Sequence, residues 1–352
     1  MIKIGLVGTP KSGKTTVFNT ITKSDAEVSD YFSENLRPNL GIVNVADERL
    51  DYLAEKFNRT KTIYATIEYL DFVGIKKDEA KKELFSNQFL GTLRTVDALG
   101  LVVRKFNLPG IATNPILEIE TIETEFIFSD LIICEKKLEI INKNLKHGLK
   151  SSESEKKLIE KCYTFLSEGK MLKFLNLKKE ELHMLRGFQF LTLKSIFIIL
   201  NVSEEIFGQN KDLIESISEK FDVVEIAGKF EMELNQLDED DAREFMSEMN
   251  IKESAVKKLT RISYESLNLL SFFTIGKEEV RAWSLQNGST AHDAAGTVHT
   301  DFAQKFIRAE RYSFADFKKY GSEKELKSAG KFFIEGKNYI VKDGDIIYIR
   351  HS

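Results

Sequence analysis

The apolar positions of the chain change rhythm twice. Short apolar runs at residues 2–7, 41–45, 63–70 and 98–103 read as strands, the first of them buried. Helix-spaced stretches lie between them. One covers 15–21, and another follows an Asp47 cap, with Leu50, Leu53, Ala54 and Phe57 on one face as ordinary core packing. From about residue 116 to about residue 186 Leu, Lys and Glu recur at helical spacing, broken near His147-Gly148 and Ser151-Ser152. That pattern predicts a long antiparallel helical pair inserted as an arm. Strands resume at 195–200, a run apolar enough to be buried on both faces, and at 221–226; helices over 238–249 and 251–267 close the domain. Beyond residue 270, short aromatic strands at 270–274, 280–285, 302–309 and 345–350 predict a small mixed β domain with one helix. The fold class is therefore α/β, a doubly wound and mostly parallel sheet with an inserted arm and a second domain. The boundaries are 1–128 with 188–268, 129–187 for the arm, and 269–352.

The turn after the first strand is Gly8-Thr9-Pro10-Lys11-Ser12-Gly13-Lys14-Thr15, which fits G-x-x-x-x-G-K-[ST] at every fixed position. Glycines let the backbone curl so that its N–H groups face phosphates, the lysine spans the β- and γ-phosphates, and the hydroxyl ligates Mg²⁺. Strand, loop and helix follow in the required order, so Gly8, Lys11, Ser12, Gly13, Lys14, Thr15 and Thr16 are read as a nucleotide triphosphate site. The strand over 63–70 ends in Asp71-Phe72-Val73-Gly74. A D-x-x-G there places an aspartate toward Mg²⁺ and a glycine N–H toward the γ-phosphate. Lys14, Asp71 and Gly74 are thus the candidate catalytic groups, and Thr15 and Asp71 candidate Mg²⁺ groups. The polar stretch 24–38 stands where nucleotide switches keep their first sensing loop. Asn201-Val202-Ser203-Glu204 and Ala227-Gly228 follow the last two parallel strands, where loops line the ligand crevice, and are candidates to meet the base.

Composition narrows the class. With 352 residues, 42% hydrophobic and 30% charged, the chain is globular and long enough for two or three domains. Its net charge of -4 hides an excess of five positive charges between Glu135 and Arg186. That excess suits either a solvated helical face or a nucleic-acid contact. Cys134 and Cys162 have no metal-ligand spacing and are expected as reduced thiols. No basic-then-apolar leader and no run of 18 apolar residues is present, so a cytoplasmic protein with no membrane span is expected. His147, His183, His292, His299 and His351 have no clustered partners and are read as structural or exposed.

Gly-x-Pro-x-x-Gly-Lys-[Ser/Thr]-Thr, Pro38-Asn39-x-Gly41, Asp71-x-x-Gly74 and Asn201-x-x-Glu204, in this order, resemble the YchF / Obg-like ATPase family. The likeness covers essentially the whole chain. Its most specific parts are Thr274-x-Gly276-x-x-Glu279-Val280-Arg281-Ala282-Trp283, Ala295-Gly296-x-Val298-His299-Thr300-Asp301-Phe302 and Glu335-Gly336-Lys337-x-Tyr339. These look like the family's TGS domain, a ubiquitin-like β-grasp module. The resemblance implies a P-loop NTPase with an inserted helical arm and a C-terminal TGS domain, using ATP and Mg²⁺ and contacting the translation machinery. Two departures stand out. Asn35 occupies the place of the family's first-switch threonine, leaving an amide oxygen for Mg²⁺, and residues 75–83 contain neither the family's glycines nor a histidine.

Four readings follow. The first is a nucleotide-hydrolysing regulator whose ATP and ADP shapes control ribosome association; the others are a GTPase, a nucleotide-gated adaptor without productive hydrolysis, and a nucleotide kinase. The kinase reading lacks a second substrate site and an arginine-rich lid. Guanine-specific relatives use Asn-Lys-x-Asp, whereas here Val202 and Glu204 replace the lysine and aspartate, so adenine preference is expected. Ile75 stands where many P-loop GTPases carry a water-orienting glutamine, so turnover should be slow. The arm, with Lys156, Lys157 and Lys161, and a second basic edge of Lys305, Arg308 and Arg311 are expected to clamp ribosomal RNA; a monomer is expected.

Overall fold

A computed structural model of the chain describes residues 2–23, 38–72, 85–110, 113–147, 153–248, 251 and 253–352. In chain order the elements are β1 (Ile2–Val7), α1 (Lys14–Thr22), β2 (Asn39–Val45), α2 (Glu48–Lys56), β3 (Lys61–Ile63), β4 (Ala65–Asp71), α3 (Asn87–Leu93), β5 (Ala98–Arg104), α4 (Pro115–Lys146), α5 (Glu153–Ser167) and α6 (Lys179–Leu185). There follow β6 (Ser195–Asn201), α7 (Lys211–Ser218), β7 (Asp222–Ile226), α8 (Gly228–Leu234), α9 (Glu239–Glu248) and α10 (Ala255–Ser266). The last part holds β8 (Leu269–Ile275), β9 (Glu279–Gln286), α11 (Ala291–Val298), α12 (Thr300–Gln304), β10 (Phe306–Ser313), α13 (Phe314–Tyr320), α14 (Glu323–Ser328), β11 (Phe333–Glu335) and β12 (Asp345–His351). The chain divides into two compact units, one of Ile2–Gly41 with Glu68–Ile262 and one of Ile42–Ile67 with Ser263–Ser352.

In the sheet ordered β2-β4-β1-β5-β6-β7, β1 pairs with β5, β5 with β6 and β6 with β7, all parallel. The strand β5 is buried at every position, as an apolar run covered on both faces must be. The direction of strand order reverses beside β1, which puts the loop after β1 at a topological switch point, where open sheets of this kind hold ligands.

Helix α4 starts where Asn114 accepts from the Leu117 N–H and Pro115 opens the first turn; it then runs for 32 residues, about 48 Å. Its inner face and that of α5 belong to the same core, with Cys134 and Cys162 buried. Burial pushes their thiols up, to about 12 and about 11, so both stay protonated and unreactive. The arm is bolted to the sheet at Asp130. This fully buried carboxylate accepts from Arg94 Nη1 (2.6 Å), Leu191 N (3.2 Å), and Thr192 N and Oγ1 (2.8 and 2.7 Å).

The other unit has its own sheet, ordered β11-β10-β12-β8-β9-β3. A parallel β12–β8 pair at its centre is flanked by the antiparallel pairs β10–β12 and β8–β9. Two expectations change here. Residues 42–67 were assigned to the nucleotide domain, but Leu50, Leu53 and Ala65 pack in the core with Phe273, Tyr312 and Ile346. β3 pairs parallel with β9, Lys61 level with Glu279. The apolar run over 63–70 thus serves two sheets, because the ladder breaks at Tyr64. The C-terminal region also contains α11, α12, α13 and α14 rather than one helix, and residues 302–304 are helical where a strand was expected. Local caps explain this: His299, Thr290, Ser313 and Ser322 each accept from a backbone N–H at a helix start.

Asp130→Ala takes the counter-charge from Arg94, which keeps only the Gln189 carbonyl and the Ser129 hydroxyl, and strands the Leu191 and Thr192 N–H groups; it should cost about 3–5 kcal/mol of unfolding free energy, measured by urea titration.

Candidate nucleotide-binding site

The turn between β1 and α1 is held open by its backbone. Gly13 lies in the left-handed region (φ 82°) and Lys11 does too (φ 66°), while Ser12 N–H donates to Thr9 O at 3.1 Å. A Cβ on Gly8 would stand 2.7 Å from the Val102 carbonyl oxygen, and one on Gly13 would overlap the Asn201 amide. Both glycines are therefore required by position. Among the described residues the buried Ser12 Oγ has no hydrogen-bond partner, a polar atom in want of a ligand at the heart of the loop. Lys11 is exposed at the rim, and Thr16 is half-buried one residue after Thr15.

Lys14 and Thr15 open helix α1 and converge on Asp71 at the end of β4. Lys14 Nζ donates to both Asp71 Oδ1 and the Phe72 carbonyl. Thr15 Oγ1 donates to Asp71 Oδ2 at 3.0 Å, and Asn39 Nδ2 lies 3.5 Å from the same oxygen. Asp71 is wholly buried. Burial pulls the Lys14 ammonium down from its ordinary value, opposed by the carboxylate of Asp71. The set brings together one cation for phosphate, one hydroxyl and one carboxylate. Among the described residues no three His, Cys, Asp or Glu side chains gather as a metal site.

Beside the loop is a cavity of about 660 Å³ lined by Gly13, Thr16, Phe106, Asn201, Val202, Glu204 and Phe230 among others. Asn201 lines it but is also a strut. Its Nδ2 donates to Ser12 O at 3.1 Å and its Oδ1 accepts from Gly228 N at 3.2 Å, tying the phosphate loop to the start of α8. Val202 lines the cavity, and its N–H is engaged with Ile226 O at 2.9 Å. Ala227 is buried and Gly228 is taken up by Asn201 and by Thr20 Oγ1; neither lines the cavity. Lys229, Phe230, Met232 and Glu233 from α8 do so instead, together with Phe106 and Asn107 after β5. The last two follow from the rule about loops at carboxyl ends of parallel strands, had it been applied to β5. Glu204 is exposed at the mouth. Asn35, Gly74 and Ile75 lie outside the described residues, as does the stretch 24–37.

Residues 3–143 match the family profile described as 50S ribosome-binding GTPase, and residues 269–352 match the YchF-GTPase_C profile, described as a protein of unknown function. The chain is 39% identical over 359 residues to the Ribosome-binding ATPase YchF of Pasteurella multocida, with 99% of each chain covered. It is 40% identical over 354 residues to the protein of the same name from Escherichia coli O157:H7, with 98% of each covered. It belongs to the YchF family. The structure of the Schizosaccharomyces pombe YchF GTPase superposes with a TM-score of 0.84 at 30% identity, over 99% of this chain and 97% of that one. The YchF assignment thus embraces both units, and nucleotide binding follows from it together with the loop geometry. No described helix is long and apolar enough to cross a membrane.

In this YchF-family chain, Gly13→Ala forces a side chain into a left-handed backbone and against Asn201. It should weaken nucleotide binding by at least tenfold, measured by titration calorimetry, and lower the thermal midpoint, since the strain costs about 1–3 kcal/mol.

Proposed function

We propose that the chain binds and slowly hydrolyses ATP with Mg²⁺ and associates with the ribosome according to nucleotide state. The observation that carries the reading is the convergence of Lys14 and Thr15 on Asp71 beneath a curled phosphate loop. The relatives' names, Ribosome-binding ATPase YchF, point the same way. Lys14 would meet the β- and γ-phosphates; Thr15 and Asp71 would hold Mg²⁺, which when bound supplies neutralisation of charge on the phosphates. Gly74 N–H toward the γ-phosphate and the Asn35 amide oxygen toward Mg²⁺ complete the assignment. Phe106 and Phe230 offer apolar walls for a base. Three parts divide the work: the sheet domain, residues 129–187 as the arm, and a β-grasp module. The protein would act as a monomer in the cytoplasm, where ribosomes are.

The base preference rests on Glu204. A carboxylate one methylene longer than aspartate, exposed at the cavity mouth, misses the two-point contact with guanine, and an unpaired polar edge costs about 1–3 kcal/mol. A second reading, GTP as substrate, draws on the Schizosaccharomyces pombe relative's title and on the description of the N-terminal profile. Calorimetric titration of ATP and GTP under matched Mg²⁺ decides between them. ATP is expected to bind at least tenfold tighter, and Lys14→Ala to abolish tight binding; equal or tighter GTP binding would overturn the adenine reading.

For the ribosome, the arm is the better electrostatic surface. Lys156, Lys157 and Lys161 pair with Glu160, Glu153 and Glu181, but these are partly or fully exposed pairs, weak in solvent and readily exchanged for phosphate. The second basic edge is divided. Arg311 is largely buried, paired with Glu335 between the Phe333 and Tyr339 rings, so its charge is spent within the fold, whereas Arg308, paired with Glu310, keeps about half of its side chain exposed. Reversing Lys156, Lys157 and Lys161 to glutamate should weaken co-sedimentation with ribosomes without loss of ATP affinity. Unchanged co-sedimentation at every salt concentration would remove the arm from the contact.

A further inference from the structure

Thr9 occupies a variable position of the phosphate-loop pattern, yet it is held at two points. Its carbonyl accepts from Ser12 N–H at 3.1 Å, and its hydroxyl donates to Glu118 Oε2 at 3.2 Å. Glu118 lies in the first turn of α4. The same Oε2 accepts from Arg104 N at 3.3 Å, and Oε1 faces the Arg104 guanidinium at 3.9 Å. Arg104 is buried at the end of β5, and its guanidinium stands 5.8 Å from the centre of the Phe106 ring, which lines the base cavity. One carboxylate thus joins the phosphate loop, the edge of the base cavity and the root of the arm. Burial raises the Glu118 pKa from its ordinary value, while its hydrogen bonds to Arg104 and Thr9 oppose the rise.

We propose that Glu118 is a positioning residue for the phosphate loop and that it couples triphosphate at that loop to helix α4, and so to the arm. The mechanical argument has three steps. First, the loop packs so closely on β5 at Gly8 that a Cβ there would stand 2.7 Å from the Val102 carbonyl oxygen, which leaves Thr9, one residue on, to take up movement of the loop on binding. Second, Thr9 has its side chain on Glu118, so the first turn of α4 follows. Third, α4 carries no proline or glycine after its first residue and is gripped at Asp130, about 18 Å beyond Glu118 and about 24 Å before Lys146. A helix held at such a point acts as a lever with its longer limb toward the arm tip.

The inference rests on the ATP reading, and the two fail differently. If the wild-type chain binds no ATP, that reading is lost; the present proposal is judged by variants in a chain that binds. The experiment uses the full chain with ATP and Mg²⁺. It measures ATP affinity by calorimetry and amide hydrogen exchange over residues 115–122 with and without ATP. Thr9→Val keeps shape and removes the donor, Glu118→Ala removes the acceptor, and the double variant removes both. Each single change should weaken ATP binding about tenfold, the net worth of a charge-assisted hydrogen bond. Because the two groups act as one unit, the double variant should be no weaker than the worse single. ATP should slow exchange in the first turns of α4 in the wild type, and that slowing should vanish in both singles. Thr9→Ser, which retains a hydroxyl, should recover most of the loss. Additive losses, or ATP-dependent protection of α4 that survives in Thr9→Val, would overturn the proposal. Should Glu118→Ala fail to fold, the Thr9→Val and Thr9→Ser pair carries the test alone.

Discussion

Asp71 is a carboxylate with no exposure to solvent, and a carboxylate in that position is tolerable only if cations and hydrogen-bond donors surround it. Those donors come from the first two residues of α1. Because β4 and β1 are neighbours in the sheet, satisfying Asp71 draws the start of α1 over the end of β4, and the loop before it must curl. The left-handed Gly13 is the local consequence. Asn201, from β6 on the other side, then fills the space a side chain at Gly13 would need and fastens the loop from behind. Phosphate loop, carboxylate and base cavity are in this sense one structure, organised around a single buried charge.

The same physics separates the rigid from the adaptable parts of the molecule. Asp130 is fully buried and Arg94 largely so, with both carboxylate oxygens engaged by donors, so α4 leaves the sheet at a defined point. Arg311, ion-paired to Glu335 and stacked by two aromatic rings, does the equivalent for the β-grasp sheet. Along the arm, by contrast, lysine and glutamate pair one helical turn apart in solvent, where the interaction is weak and a partner's charges can replace it. Buried charges specify geometry here, and exposed ones are left available for exchange.

Much of this was legible in the chain itself. The phosphate loop, the D-x-x-G aspartate, the parallel strands and the inserted helical pair all announce themselves within windows of a few to a few tens of residues, because backbone curling, burial and helical periodicity are local requirements. Pairing across distance was not legible. That β3 belongs with β9, that residues 42–67 fold with the C-terminal unit, and that Phe230 walls the cavity depend on strand order and on contacts between segments far apart in sequence. Asn201 illustrates the division. Its place after a buried strand marked it as a site residue, but only the packed structure decides that its amide braces Ser12 and Gly228, since both partners are brought to it by the sheet. Glu118 had no local mark at all: one glutamate on a helix rich in them, it becomes distinctive because the fold sets it beside Thr9, 109 positions away.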